Sequence, residues 1–249
     1  MAWLRAWIFN LTFYIGSLFW SIALLWVLFL PEDKVRKTVH FFYYRYVNFI
    51  IRHIMGIKLE IKGLENLPKE GSYILASKHQ SAYETLILPY LIPNIAIILK
   101  EELTKIPLWG LYPKKLGMIA IDRGSGTRAM RSIVKGALRT KGEDRPILIF
   151  PQGTRVPPGA QESYKSGVAK VYKDTELPII PMALNAGLCW PKNGFIKKAG
   201  TITFEFLPMI PAGQKPQEMI KNLESTLEAH SNALLPAELQ EKIAKDQVA

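Results

Sequence analysis

A long uncharged stretch near the start of the sequence limits where the chain can reside. The 23 residues from Ile8 to Leu30 include no charged side chain, and about 20 apolar residues are enough for a helix to cross a bilayer. Trp3, Trp7, Trp20 and Trp26 lie in or beside this run, and tryptophan favours the membrane–water interface. The run is too long for a signal-peptide core, and no small-residue cleavage site follows it. We expect a membrane-embedded helix that spans the bilayer or dips into one leaflet; a removed signal and a buried core helix are the alternatives.

The residues after this run indicate how the chain is arranged on the membrane. Lys34, Arg36 and Lys37 follow it closely, and such a positive flank places the downstream chain on the cytosolic side. The aromatic-rich segment from His40 to Ile50 predicts a second helix that lies in the interface. We therefore divide the chain into membrane-anchoring helices at 1–56 and a larger domain at 57–249.

The charge of the chain indicates an anionic partner. The net charge is +11 with a pI of about 9.6, which fits either nucleic acid or anionic lipid. No nucleic-acid-binding motif is recognisable, and an apolar membrane anchor is unusual in a nucleic-acid-binding protein. Anionic lipid is therefore the favoured partner. The single cysteine, Cys189, excludes an intrachain disulfide, and the four histidines lack metal-ligand spacing. We expect no metal site.

Beyond residue 60, short β-rich runs alternate with helical patterns. This alternation predicts an α/β domain with a mixed sheet flanked by helices, downstream of the N-terminal membrane-embedded helical segment. Helices are predicted over Thr127–Thr140 and around Met219–Leu234, where apolar residues recur on one face. Six strands are predicted, at Ser72–Ser77, Ile95–Leu99, Met118–Ile121, Pro146–Phe150, Pro178–Leu184 and Thr201–Leu207.

The segment from Lys78 to Thr85 carries the most specific chemical pattern. His79 and Glu84 are five residues apart, about 500° around a regular helix, so they cannot share a helix face. They can meet if His79 precedes a helix capped by Ser81, because Ser81 and Glu84 have capping-box spacing. A carboxylate on one imidazole nitrogen would leave the other free to accept a proton. Taken alone, the residues fit equally a plain helix cap beside an uninvolved histidine.

Three further segments are ambiguous when each is taken alone. The turn Gly153–Arg155 follows an apolar strand and offers backbone N–H groups, a hydroxyl and a guanidinium to a phosphate, although a solvated surface turn also fits. Asp122 and Arg123 end another strand, where a salt bridge is the simpler interpretation. Pro178–Pro181 indicates only a core strand.

Taken together and in order, these segments resemble the glycerolipid acyltransferase family, which includes the 1-acylglycerol-3-phosphate acyltransferases. Family members carry a His-x4-Asp motif, a Gly-x-x-x-Ile-Asp-Arg-like strand, Phe-Pro-Glu-Gly-Thr-Arg, and a Pro-x-x-Pro strand. The resemblance covers roughly residues 60 to 210, and the hydrophobic N-terminus is similar to that of bacterial members. The matching segments begin at His79, Gly117, Phe150 and Pro178, with a linking segment at Lys100–Leu103, Pro107 and Gly110.

The resemblance implies a role for each site residue. His79 is the general base and Glu84 orients it. The residues expected to hold the acceptor's phosphate are Lys100, Arg123, Gln152, Gly153, Thr154 and Arg155. Two positions depart from the family pattern. Glu84 replaces the usual aspartate and keeps its charge, whereas Gln152 replaces the usual glutamate and keeps only hydrogen-bonding capacity.

The implied reaction moves a fatty acyl group from acyl-CoA or acyl carrier protein to the sn-2 hydroxyl of 1-acylglycerol 3-phosphate. The product is phosphatidate, the thioester is a co-substrate, and no cofactor is expected. The expected partners are a lysophospholipid acceptor, the thioester donor and membrane lipids, without nucleic acid. The expected location is the membrane, with the catalytic domain on its cytosolic face. Another acceptor, such as lyso-ornithine lipid, and a non-catalytic lipid-binding protein are the alternatives.

Overall fold

The computed structural model describes residues 2–246. A mixed sheet of seven strands lies at its centre. Six of the strands lie where the sequence predicts them, with ends shifted by at most two residues. The strands are β1 Ile57–Lys62, β2 Ile74–Ser77, β3 Ala96–Lys100, β4 Ile119–Ile121, β5 Ile147–Ile149, β6 Ile179–Leu184 and β7 Gly200–Phe206.

The order of the strands brings several strand ends together. The spatial order is β1-β7-β6-β2-β5-β3-β4, and only the pair β6–β7 is antiparallel. Strands β6, β2, β5, β3 and β4 therefore run in one direction and end at the same edge of the sheet. That edge is where α/β sheets usually place their ligands.

Strand β1 was missed by the sequence analysis. Its residues alternate between apolar and charged from Ile57 to Lys62, but only Ile57 is buried. The strand lies at the edge of the sheet, where it pairs with β7 alone and most of its side chains stay exposed. The domain boundary drawn at residue 57 coincides with its first residue.

Helices cover both faces of the sheet, because neighbouring residues of each strand point to opposite sides. Leu75 packs with α1, α3 and α4 on one face, whereas Ile74 and Ala76 pack with α6, α7 and α8 on the other. The predicted helix at 127–140 extends to Gly142, and the C-terminal apolar face belongs to α8. The helices are α1 Ala2–Ala23, α2 Glu32–Val39, α3 Arg45–Ile50, α4 Tyr83–Leu91, α5 Leu111–Lys115, α6 Thr127–Gly142, α7 Ser166–Thr175, α8 Pro216–Ala233 and α9 Ala237–Asp246.

The N-terminal apolar run forms a shorter α-helix than its length allows. Within residues 2–246, α1 is the one helix long and apolar enough to cross a membrane. The α-helix stops at Ala23, and the run continues as a 3-10 turn at Leu25–Phe29. Contact with residues beyond the N-terminal segment explains the break: Leu24 and Val27 pack in one cluster with Tyr112, whose hydroxyl donates a 2.7 Å hydrogen bond to the Ser21 carbonyl.

The predicted interfacial helix at His40–Ile50 is part of a longer helical segment. Helical structure continues from Glu32 to Met55, with π-helical turns at His40–Tyr44 and Ile51–Met55 around α3. Several of its aromatic side chains are exposed, including Phe41 at 55% and Phe49 at 58%. The predicted bounds were therefore too narrow at both ends, because the charged residues before His40 and the segment Ile51–Met55 are also helical.

Candidate active site

The turn between β2 and α4 brings His79 and Glu84 together. Helix α4 begins at Tyr83, so the residues just before it bend back toward its first turn. The Oε1 atom of Glu84 accepts hydrogen bonds of 2.7 Å from the N–H groups of Gln80 and Ser81. The Ser81 hydroxyl accepts from the Tyr83 N–H, whereas a regular capping box would have it accept from the backbone N–H of Glu84. The predicted capping box is thus present in a shifted form, with its glutamate reaching back as expected.

The imidazole of His79 is fixed from two directions. Its Nδ1 atom lies 2.8 Å from Oε1 of the fully buried Glu84. Its face stacks on Phe150, with ring centroids 3.9 Å apart and planes inclined by 17°. The carboxylate can only accept, so Nδ1 carries the proton and the neutral ring keeps its lone pair on Nε2. Of the two ring nitrogens of His79, only Nδ1 has a hydrogen-bond partner within residues 2–246.

The turn after β5 lies directly against His79. Gly153 has a φ of +68°, which favours glycine, and its N–H donates to the Phe150 carbonyl at 2.9 Å. Three residues later, the Val156 N–H donates a 2.7 Å hydrogen bond to the His79 carbonyl. Main-chain atoms therefore set the spacing between His79 and the Gly-Thr-Arg turn.

A cavity of about 570 Å³ joins His79 to most of the predicted binding residues. His79, Lys100, Arg123, Thr154 and Arg155 line its polar part. Partial burial lowers the pKa of the Arg123 guanidinium through desolvation. Among residues 2–246, no Asp or Glu side chain lines the cavity. The apolar wall comes mainly from the N-terminal helical segments and α5, and includes Trp20, Leu24, Val39, Tyr43, Tyr44, Leu103, Trp109, Tyr112, Leu116 and Met118.

Two predicted binding residues do not line this cavity. Gly153 shapes the turn without facing the cavity. Gln152 is 1% exposed, and neither polar atom of its side-chain amide has a hydrogen-bond partner within residues 2–246. A glutamate at this position would be a buried charge, which costs far more than a buried amide unless it is paired. The neutral residue therefore suits its surroundings.

Residues of a later loop complete the polar part of the cavity. Lys192 and Asn193 line it beside Arg155, and the Lys192 ammonium donates a 3.0 Å hydrogen bond to the Arg155 carbonyl. The sequence analysis treated Pro191–Gly194 only as a loop. No local pattern links Lys192 to a turn 37 residues earlier, so its place in the site depends on the tertiary structure.

The sequence pattern of the family described as Acyltransferase matches residues 58–185, which is more than half of the chain. The chain belongs to the acyltransferase family. The matched region of this acyltransferase runs from β1 through β6 and contains His79, Glu84 and the turn after β5. It ends before Lys192. The family resemblance is thereby confirmed.

Similar proteins share one enzyme name. The acyltransferase is 35% identical over 185 residues to a 1-acyl-sn-glycerol-3-phosphate acyltransferase of Pseudomonas aeruginosa, covering 74% of this chain and 72% of that one. It is 28% identical over 218 residues to the human 1-acyl-sn-glycerol-3-phosphate acyltransferase alpha, covering 85% and 75%. The crystal structure of the 1-acyl-sn-glycerophosphate acyltransferase of Thermotoga maritima has the same fold, with a TM-score of 0.77, 23% identity, and coverage of 94% of this chain and 98% of that one.

Proposed function

We propose that this enzyme transfers a fatty acyl group from an acyl thioester to the sn-2 hydroxyl of 1-acylglycerol 3-phosphate, giving phosphatidate. One observation carries the proposal: His79, which is paired with the buried Glu84, lines a single cavity that has cations in one part and an apolar wall in the other. A lysophospholipid has the same division, with an anionic headgroup beside an acyl chain. The names of the relatives support this choice of acceptor.

His79 acts as the general base in this mechanism. Its Nε2 atom takes the proton from the acceptor hydroxyl while that oxygen bonds to the thioester carbonyl carbon. The resulting tetrahedral oxyanion collapses, the carbon–sulfur bond breaks, and the leaving sulfur takes the proton from Nε2. Glu84 keeps Nδ1 protonated throughout and offsets the positive charge on the intermediate imidazolium. No acyl-enzyme forms, and the base ends in its starting state.

The polar part of the cavity holds the acceptor's phosphate. Arg155 and Thr154 offer a guanidinium and a hydroxyl on one side, and Arg155 can form a bidentate pair with a phosphate. Lys100 and Arg123 line the same cavity from the ends of β3 and β4. Gln152 and Gly153 belong to the same turn but do not line the cavity.

The exposed face of α1 supports a location of the enzyme on a membrane. Leu11, Ile15 and Leu18 project from that face with exposures of 61%, 58% and 54%, a poor arrangement in water and a favourable one in lipid. The apolar wall of the cavity contains Trp20 and Leu24 from the end of the same region, so an acceptor can enter from the membrane with its acyl chain still in apolar surroundings. The basic residues after α1 favour a catalytic domain on the cytosolic face.

A substrate panel tests the proposal. Purified enzyme in detergent micelles is given lysophosphatidate, lysophosphatidylcholine or lyso-ornithine lipid, each with an acyl-CoA or an acyl-acyl carrier protein, and the acylated product is measured. We expect phosphatidate to form at the highest kcat/KM, and we expect His79→Ala to abolish most of it. A higher kcat/KM with lyso-ornithine lipid would contradict lysophosphatidate as the acceptor and identify lyso-ornithine lipid in its place. No transfer with any pair, by a folded protein, would contradict the enzymatic reading.

A further inference from the structure

The loop that carries Lys192 is fixed to the N-terminal helix. Phe195 packs against the rings of Trp3 and Trp7, with centroids 5.2 and 5.1 Å away. Lys197 is 7% exposed, and its ammonium donates to Oδ1 of Asn10 at 2.9 Å and lies 5.5 Å from the ring of Phe9. These contacts tie the part of the loop that follows Lys192 to α1.

The cavity brings together four cations. Within residues 2–246, none of them has a carboxylate within 4.0 Å. The Lys192 ammonium is exposed and donates to a carbonyl, which uses one of its three donors. Like charges that share a cavity repel one another, solvent weakens this repulsion at exposed side chains, and an anionic ligand reduces it further. The four are Lys100, Arg123, Arg155 and Lys192.

The geometry of the acceptor decides which anion Lys192 meets. In 1-acylglycerol 3-phosphate, two carbons separate the sn-2 oxygen from the phosphate ester oxygen, so the phosphate must lie close to Nε2 of His79 when the hydroxyl does. Arg155 is next to Val156, whose N–H donates to the main-chain carbonyl of His79, and the Lys192 ammonium donates to the main-chain carbonyl of Arg155. In the thioester donor, the long pantetheine arm separates phosphate from the reacting carbonyl. Because Lys192 lines the same cavity as His79 and Arg155, it is a candidate to contact the phosphate of the acceptor rather than that of the donor.

We propose that Lys192 is a further acceptor-binding residue, which holds the phosphomonoester of the lysophospholipid together with Arg155. The inference rests on the proposed function and adds a contact from outside the region that the family pattern covers. Arg155 supplies planar, bidentate recognition, whereas Lys192 supplies a compact charge on a flexible stem. Together they favour a dianionic monoester over a phosphodiester or a zwitterionic headgroup.

Kinetics and binding of Lys192 variants test this inference. With saturating thioester, Lys192→Ala should raise the lysophosphatidate KM by about tenfold, the scale of one charge-assisted hydrogen bond. The thioester KM and kcat should change by less than about twofold, because the phosphate is held alike in the ground and transition states. Lys192→Arg should recover most of the loss. The matched control is Lys198→Ala, which removes an exposed lysine from the same loop that does not line the cavity.

A binding measurement separates the role of Lys192 from turnover. Titration calorimetry in detergent compares lysophosphatidate binding to His79→Ala and to the double variant His79→Ala/Lys192→Ala, and we expect about tenfold weaker binding to the latter. Equal affinities and an unchanged lyso-lipid KM would overturn the role of Lys192 while leaving the proposed function intact. A raised thioester KM alone would assign Lys192 to the donor and overturn the inference. Failure of the parent enzyme to acylate lysophosphatidate would overturn both.

Discussion

The ammonium group of Lys78 donates hydrogen bonds to both carboxylate oxygens of Glu228, at 2.7 and 2.8 Å. Both side chains are almost fully buried, with exposures of 3% and 10%. The hydroxyl of Tyr164 donates a third bond to Glu228 at 3.0 Å. Because Lys78 immediately precedes His79, this ion pair connects helix α8 to the turn that carries the base.

Breaking this pair should destabilise the protein. Lys78→Met leaves the Glu228 carboxylate buried without its cation, and losing one partner of a buried pair costs about 3–5 kcal/mol. The free energy of unfolding, measured by denaturant titration in detergent, should fall by that amount. The double variant Lys78→Met/Glu228→Leu should recover much of the loss, since no unpaired charge remains. Equal stability of the single variant and the parent would show that the pair contributes nothing.

Removal of the base should separate turnover from folding. His79→Ala should lower kcat by about 10²–10⁴-fold, the usual scale for a general base. The thermal unfolding midpoint should stay close to that of the parent, because alanine leaves Gln80 and Ser81 bonded to Glu84. The measurement is a thioester-release assay beside a melting curve. Turnover near that of the parent in a folded variant would exclude His79 as the base.

The charge of Glu84 can be tested without disturbing its shape. Glu84→Gln keeps the side-chain length and an oxygen that can accept from the backbone, but it replaces a charge-assisted hydrogen bond to His79 with a neutral one. That loss is about 1.5–3 kcal/mol, or roughly 10–150-fold in kcat. Glu84→Asp keeps the charge and should retain substantial activity. If Glu84→Gln is as active as the parent, Glu84 is a helix cap and nothing more.

The fork geometry of Arg155 should matter more than its charge alone. Arg155→Lys keeps the positive charge but loses the bidentate pair, so the lysophosphatidate KM should rise by about 10–150-fold, equivalent to about 1.5–3 kcal/mol. The thioester KM should hardly change. Steady-state kinetics with each substrate varied in turn provide the measurement, and Arg155→Ala gives the upper limit. A rise confined to the thioester KM would place Arg155 at the donor.

The exposed face of α1 should control attachment to lipid. Leu11→Asp combined with Leu18→Asp puts two charges on that face, each costing about 2.5–3.5 kcal/mol in an apolar membrane helix. In a flotation gradient with anionic phospholipid vesicles, the variant should stay at the bottom and the parent should rise with the vesicles. Leu138→Asp is the control, since Leu138 is 45% exposed on α6. Unchanged flotation of the double variant would mean that α1 does not hold the enzyme on the bilayer.

Local patterns account for the parts of the fold and site that were predicted correctly. Four of the six predicted strands, β2, β3, β5 and β6, carry apolar runs that are buried on both faces. The meeting of His79 with Glu84 follows from the capping-box spacing of Ser81 and Glu84. The convergence of Lys100, Arg123 and the turn after β5 follows from parallel strands that end at one edge. These features depend on nearest neighbours in the chain or on a general property of parallel sheets.

Long-range contacts account for what was missed. Lys78 and Glu228 are 150 residues apart, and Lys192 reaches Arg155 only because its loop packs on α1. The end of α1 at Ala23 is likewise set by Tyr112 rather than by a glycine or proline at that point. A single sequence carries no local signal for such contacts, since each partner has an unremarkable neighbourhood of its own.

The hydrogen bond between the Val156 N–H and the His79 carbonyl separates the position of the turn after β5 from the identity of the side chains in that turn. It uses main-chain atoms alone, so replacing the side chain of either residue leaves its donor and acceptor in place unless proline enters at 156. Side chains of the preceding turn, such as Gln152, can therefore be replaced while the turn keeps its position beside His79. Side-chain changes in this turn can therefore alter what the cavity binds while the main-chain contact to His79 is kept.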